Sequence, residues 1–288
     1  MHLLYPFAKR FIAGEDLPAA IQSLKVLDGL GFQSTVDYLG EHTLTEEQAE
    51  RAKREYLDLL REVNQISHTM DFSIKLSQVG LEISSELCKR NVEELLKSAG
   101  RHTARFDMEG SETTQRAVDL CLELRQTYKN LGIALQAYLF RTQADLESMI
   151  QNGVSVRLCK GAYKEKPAIA YQSMDDIRGN FLKLAFLLLK EGVLPAVATH
   201  DEKLIRKILK FIAREKIDTR SFYFEMLYGV RRDLQRFLLE QGYQTRIYVP
   251  YGKSWLPYTL RRLAERKENV LFLVKSLFRE TLGLRKVH

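Results

Sequence analysis

The stretch Thr245-Arg246-Ile247-Tyr248-Val249-Pro250-Tyr251-Gly252 is a short β-branched run closed by a Pro-Tyr-Gly turn, and it leads into a segment of helical spacing that carries Trp255, Tyr258, Arg261, Arg262 and Glu265. It reads as one βα unit. Working back toward residue 34, the same pattern recurs, with strand candidates at Ser34–Leu39, Phe72–Val79, Thr103–Glu109, Ile133–Leu139, Val154–Cys159, Leu194–Thr199 and Phe222–Tyr228. The run at Thr245–Pro250 is the eighth. Helix candidates fall between them, among them Thr45–Asn64, where Thr45 and Gln48 fit a capping box, Thr113–Asn130 and Met174–Glu191. Eight strands, each followed by a helix, is the count that closes a parallel (βα)8 barrel of the TIM type.

Connections are short and no Pro/Ser-rich linker divides the chain, so residues 1–288 read as one domain. We expect an N-terminal helical segment over 1–32, containing a helix at Asp16–Leu30, then the barrel over 33–268, then a C-terminal helix over 269–288 that includes Val270–Leu284. Gly29-Leu30-Gly31 precedes a strand instead of following one, which rules it out as a dinucleotide loop.

Hydrophobic residues at 45% and charged residues at 28% are ordinary for a globular chain and exclude a disordered or fibrous one. The net charge of +7 is spread over many helices, so it favours anionic ligands without naming one. Cys88, Cys121 and Cys159 are far apart and lack zinc-ligand spacing, which points to a reducing cytoplasm and no metal site. The first residues show no export signal, and the apolar runs at Leu182–Leu189 and Val270–Phe278 are too short to span a bilayer. Contact with a membrane surface stays compatible with that pattern.

In a barrel of this kind, function lies where the strands end. Polar residues interrupt the apolar runs there with unusual regularity: Lys75, then Asp107 and Glu109, Gln136 and Tyr138, Arg157 and Lys160, Thr199 and His200, Glu225 and Tyr228, and Tyr248. Buried unpaired charges are costly, so these groups should pair with one another and with a ligand. Arg261 and Arg262 lie about 100° apart around a helix axis, so both reach one planar anion only at the helix edge. A small carboxylate fits. Glu265, four residues on, is placed to steady Arg261. A bare Arg-Arg-x-x-Glu is more often a solvated surface pairing, and Asp107 with Lys75 could equally be a structural rim pair.

The chain resembles the proline dehydrogenases. The likeness runs through Asp37-Tyr38-Leu39-Gly40-Glu41, Phe72–Leu76, Phe106-Asp107-Met108-Glu109, Leu135–Leu139, Arg157–Tyr163, Ala198-Thr199-His200 and Met226-Leu227-Tyr228-Gly229. Pro250-Tyr251-Gly252, Trp255, Pro257-Tyr258 and Arg261–Glu265 are similar to the family's closing signature. Glu225 departs from it, standing where the pattern calls for an uncharged amide.

The resemblance is to the monofunctional bacterial type. It implies a distorted barrel holding FAD non-covalently, oxidation of L-proline to Δ1-pyrroline-5-carboxylate by hydride transfer from C5 to flavin N5, and a membrane quinone as electron acceptor. It implies substrate contacts from Lys75, Tyr163, Leu227, Tyr248, Tyr258, Arg261 and Arg262, with Asp107 orienting the cations and Arg157 facing flavin N5. Met108, Gln136, Lys160, Gly161, Ala162, Tyr163, Thr199 and His200 complete the implied cofactor contacts. The expected place is the cytoplasm, with peripheral contact at the membrane's cytoplasmic face. Two other readings compete: a Schiff-base lyase using Lys75 or Lys160, and a basic nucleic-acid-binding module, for which no motif is present.

Overall fold

The computed structural model describes residues 8–65 and 69–264, with side chains described through residue 261. Its strands are β1 (Gln33–Tyr38), β2 (Asp71–Ile74), β3 (Thr103–Phe106), β4 (Leu131–Gln136), β5 (Ser155–Cys159), β6 (Ala196–Ala198), β7 (Tyr223–Leu227) and β8 (Thr245–Tyr251). They pair in chain order into a closed barrel, every pair parallel, and β8 closes onto β1 with Thr35 beside Tyr248 and Asp37 beside Pro250. This is a (βα)8 barrel.

The helices are α1 (Leu17–Gly29), α2 (Glu46–Val63), α3 (Ser85–Ser98), α4 (Ser111–Arg125), α5 (Thr142–Gln151), α6 (Met174–Glu191), α7 (Glu202–Glu215), α8 (Arg232–Glu240) and α9 (Trp255–Ala264). Several start where a short polar side chain takes up an orphan amide. Asp16 accepts from Ala19, Ser84 from Leu87, Ser173 from Asp176 and Asp201 from Lys203. Thr45 and Gln48 form the reciprocal capping box expected of them.

Successive strand residues face opposite sides of the sheet. The outward set, including Val36, Phe72, Ile74, Phe106, Ile133, Val156, Leu158, Val197, Phe224, Met226, Ile247 and Val249, packs with the helices into the main apolar core. A barrel interior is ordinarily filled by branched aliphatic side chains. Here it is polar. On its lower side Asp71 accepts from Arg105 at 2.8 and 3.1 Å and from Arg246 at 2.6 Å, while Arg246 lies 3.8 Å above the Tyr223 ring. Gly132 makes room for this, since a Cβ there would come within 2.8 Å of Arg105 Nη1.

Two differences from the sequence reading concern the mouth. Strands β2 and β3 end earlier than expected, at Ile74 and Phe106; after β2 the chain turns at once, Gln78 N–H bonding back to the Lys75 carbonyl at 3.0 Å. The last helix among the described residues is also displaced. α1 packs against β8 and β1, where a regular barrel would seat its closing helix. α9 lies instead with Trp255 and Tyr258 in a second apolar cluster of Ala8, Phe11, Ile12, Leu39 and Val230. Gly229 permits that docking, because it adopts φ +72° and any Cβ would strike the Arg10 carbonyl.

Among the described residues no helix is long and apolar enough to cross a membrane, and no cluster of metal-ligating side chains occurs. The C-terminal helix expected over 269–288 lies outside the described residues.

Candidate active site

Asp107 leaves the end of β3 at the C-terminal mouth. Its Oδ1 accepts from Arg157 Nη1 at 2.6 Å, its Oδ2 accepts from the Tyr248 hydroxyl at 2.6 Å, and Lys75 Nζ stands 3.4 Å away. Lys75 donates a short hydrogen bond to Asp37. Arg157 is engaged on every side. Nη2 donates to Ser73 Oγ at 3.1 Å, Nε lies 2.8 Å from Glu225 Oε1, and the guanidinium carbon sits 5.1 Å from the Tyr248 ring centre. Strands β1, β2, β3, β5, β7 and β8 thus converge on one buried network.

The electrostatics follow from those contacts. Burial works against charge on Asp107, yet Lys75 and Arg157 outweigh it and hold the carboxyl below the usual aspartate range. Asp37 goes the other way: burial dominates, Asp107 repels, and its affinity for a proton rises. Burial likewise opposes the Lys75 ammonium, but Asp37 and Asp107 prevail and hold it well above the usual lysine range. Lys75 is therefore a cation and not a free amine. The Cys159 thiol, at the end of β5, is pushed up to about 12 by burial, which disfavours the reactive thiolate.

On the rim, Arg261 forms a two-armed pair with Glu41, Nη1 to Oε2 at 3.0 Å and Nη2 to Oε1 at 2.7 Å. The acid that steadies Arg261 is thus Glu41, from the loop after β1. Glu265, expected in that role, lies outside the described residues. The Arg262 backbone continues α9, but its side chain lies outside the described set. Burial raises the Tyr163 hydroxyl, with the charges of Glu41 and Glu109 adding and those of Arg261 and Lys75 opposing. Leu227 is half-buried against the Trp255–Tyr258 cluster, and Tyr258 is buried within it.

The remaining expected residues ring the other half of the mouth. Met108 and Gln136 are buried, and Gln136 donates to the Glu109 carbonyl at 2.9 Å and accepts from Ala162 N–H at 3.3 Å. Gly161, at φ +121°, leaves bare backbone against Tyr138, whose ring a Cβ would approach to 2.3 Å. Lys160 is partly exposed and 3.4 Å from Asp201, which Arg178 also holds at 2.7 Å. Thr199 Oγ1 accepts from Asp201 N–H at 3.1 Å, and His200 Nε2 accepts from Leu227 N–H at 2.8 Å, tying β6 to β7.

Sequence reasoning passed over Asp37, Glu41 and Ser73 as site residues and left Glu225 without a contact. Asp37 and Ser73 lie on the same faces of β1 and β2 as the rest of the network. Period-two counting back from Lys75 would have found Ser73.

The fold and site together define a (βα)8 barrel whose charged and aromatic side chains converge at the C-terminal mouth, the arrangement of barrels that act on small molecules. The family model described as "Proline dehydrogenase" matches residues 20–275. The chain is 34% identical over 275 residues to proline dehydrogenase 1 of Bacillus subtilis subsp. natto, covering 95% of this chain and 91% of that one. It is 33% identical over 285 residues to the proline dehydrogenase of Deinococcus radiodurans, covering 96% of this chain and 91% of that one. Among solved structures, proline utilization A from Bdellovibrio bacteriovorus superposes with a TM-score of 0.85 at 23% identity, over 93% of this chain and 34% of that longer one. The chain belongs to the proline dehydrogenase family.

Proposed function

We propose that this protein oxidises L-proline to Δ1-pyrroline-5-carboxylate with FAD and passes the electrons to a quinone. The observation that carries the reading is that Lys75, Arg157 and Tyr248 meet on one buried carboxylate, Asp107, at the C-terminal mouth. Family membership supports the substrate class and the cofactor.

The residues present suit a flavin dinucleotide. A buried guanidinium at Arg157, an amide at Gln136, the apolar Met108, bare backbone at Gly161, the small Ala162 beside it and a partly exposed Lys160 offer cation, polar and apolar contacts and phosphate contact to such a group. Thr199 and His200 would border it. When bound, FAD would supply the two-electron acceptor for the substrate's hydride.

The chain's own part is binding and charge placement. Arg261 would exchange Glu41 for the substrate carboxylate, joined by Arg262 and Lys75, fixing the ring for reaction. Tyr163, Leu227, Tyr248 and Tyr258 would pack the ring. Asp107 is already occupied by Arg157, Tyr248 and Lys75, so it orients these groups and does not act as a base. Arg157 would stabilise negative charge arriving at the acceptor. The Schiff-base reading loses support at Lys75, which two carboxylates keep protonated.

The test is the visible spectrum of purified protein supplied with FAD, followed on anaerobic addition of L-proline. Bleaching supports the reading, and a flavin indifferent to proline opposes it.

A further inference from the structure

Glu225 projects into the barrel from β7 and is 2% exposed. Between it and Arg157 lies only β6, whose register sets Arg157 beside Ala196 and Ala198 beside Glu225. Neither alanine extends past Cβ, so the guanidinium reaches across the strand unobstructed. The approach of 2.8 Å from Nε to Oε1 is an ion pair without hydrogen-bond alignment, and neither Glu225 oxygen has a hydrogen-bond partner among the described residues. A buried carboxylate left in that state is costly, and its main interaction is with the charge beside it.

The charges that the strands carry inward balance. Asp37, Asp71, Asp107 and Glu225 face Lys75, Arg105, Arg157 and Arg246. Removing Glu225 alone would leave this inward set with one positive charge in excess and Arg157 with Asp107 as its one carboxylate partner. Asp107 and Ser73 already fix the two outer nitrogens of that guanidinium, so its position does not need a third partner.

We propose that Glu225 tunes the charge of the redox site through Arg157: as the second carboxylate on that guanidinium, it offsets the positive charge offered to the bound flavin and so holds the flavin's reduction potential down. This rests on the flavin reading above. A merely structural Glu225 would alter stability and leave the potential alone.

The experiment is an anaerobic redox titration of protein-bound FAD against a reference dye, in wild type, Glu225→Gln and Glu225→Asp. At a fixed dye ratio, Glu225→Gln should raise the ratio of reduced to oxidised flavin by about tenfold, the scale of one unit charge at close range in a partly screened interior. Glu225→Asp keeps the charge but draws it back, so its ratio should lie between the two. Flavin-loaded Glu225→Gln with an unchanged ratio overturns the proposal. If that variant does not fold, an unchanged ratio in Glu225→Asp does so alone. Wild-type protein that takes up no FAD overturns the functional reading instead, and the proposal with it.

Discussion

Arg157 and Asp107 meet at 2.6 Å across the barrel mouth, and both side chains are nearly closed off from water. Each leaves an unbalanced charge if the other is removed. Asp107→Asn should therefore cost about 3 kcal/mol or more in stability. Urea denaturation of the two proteins measures it, and a difference under about 1 kcal/mol would mean that water or a shifted side chain already screens the pair.

Arg261→Lys should behave differently. Its pair with Glu41 lies on the rim, with Arg261 37% exposed, so stability should change little. Loss of the planar fork should raise KM for proline tenfold or more, on the scale of about 1.4 kcal/mol per decade. Steady-state kinetics with unchanged KM would take Arg261 out of carboxylate recognition.

Trp255 anchors the displaced α9. It is 4% exposed among Ala8, Phe11, Leu39 and Val230, and its indole donates to Glu15 at 2.6 Å. Trp255→Ala should destabilise the protein by about 3 kcal/mol and weaken proline binding, since Arg261 rides on the same helix. Thermal unfolding and KM read both effects. Loss of stability with intact KM would show that α9 holds Arg261 without this anchor.

The acid limb of the stability curve has a defined sign. Asp71 and Asp107 are held below the usual range against the pull of burial, Asp71 by Arg246 and Arg105, Asp107 by Lys75 and Arg157. A depressed carboxyl contributes stability above the unfolded value, about 4, which is lost as pH falls below it. Asp37, raised by burial, has the opposite sign and offsets part of the gain. Unfolding midpoints should thus drop steeply below about pH 4 in wild type and less steeply in Asp71→Asn. Parallel curves would mean that other groups set the limb.

Borohydride added with substrate should trap no covalent adduct on Lys75, because its ammonium is held protonated between Asp37 and Asp107. Mass spectrometry of the treated protein gives the answer, and an adduct on Lys75 or on Lys160 would restore the lyase reading.

The repeat of eight strands was legible because period-two runs and capping residues are local signals, and α6 and the Thr45 capping box fall where spacing sets them. Much of the central network was legible too. Lys75, Asp107, Arg157 and Tyr248 interrupt apolar runs, and they meet in one cluster. Less visible were groups whose partners are distant in sequence. Glu41 pairs with Arg261 across 220 residues, and no local spacing announces that. Asp71, Arg105 and Arg246 also break apolar runs, but near strand starts, where attention to the C-terminal ends alone passes over them. The seating of α1 beside β8, with α9 moved to the second cluster, depends on packing between the chain's two ends.

On the proposed function, the cations at this mouth grip an amino acid's carboxylate beside a bound flavin. Anaerobic titration of the FAD-loaded protein with L-proline, with pipecolate and sarcosine as controls, tests it most directly. L-Proline should abolish the flavin absorbance near 450 nm, and Arg261→Met should lose that bleaching at the same concentration. A flavin that stays oxidised, or bleaches equally well without Arg261, would contradict it.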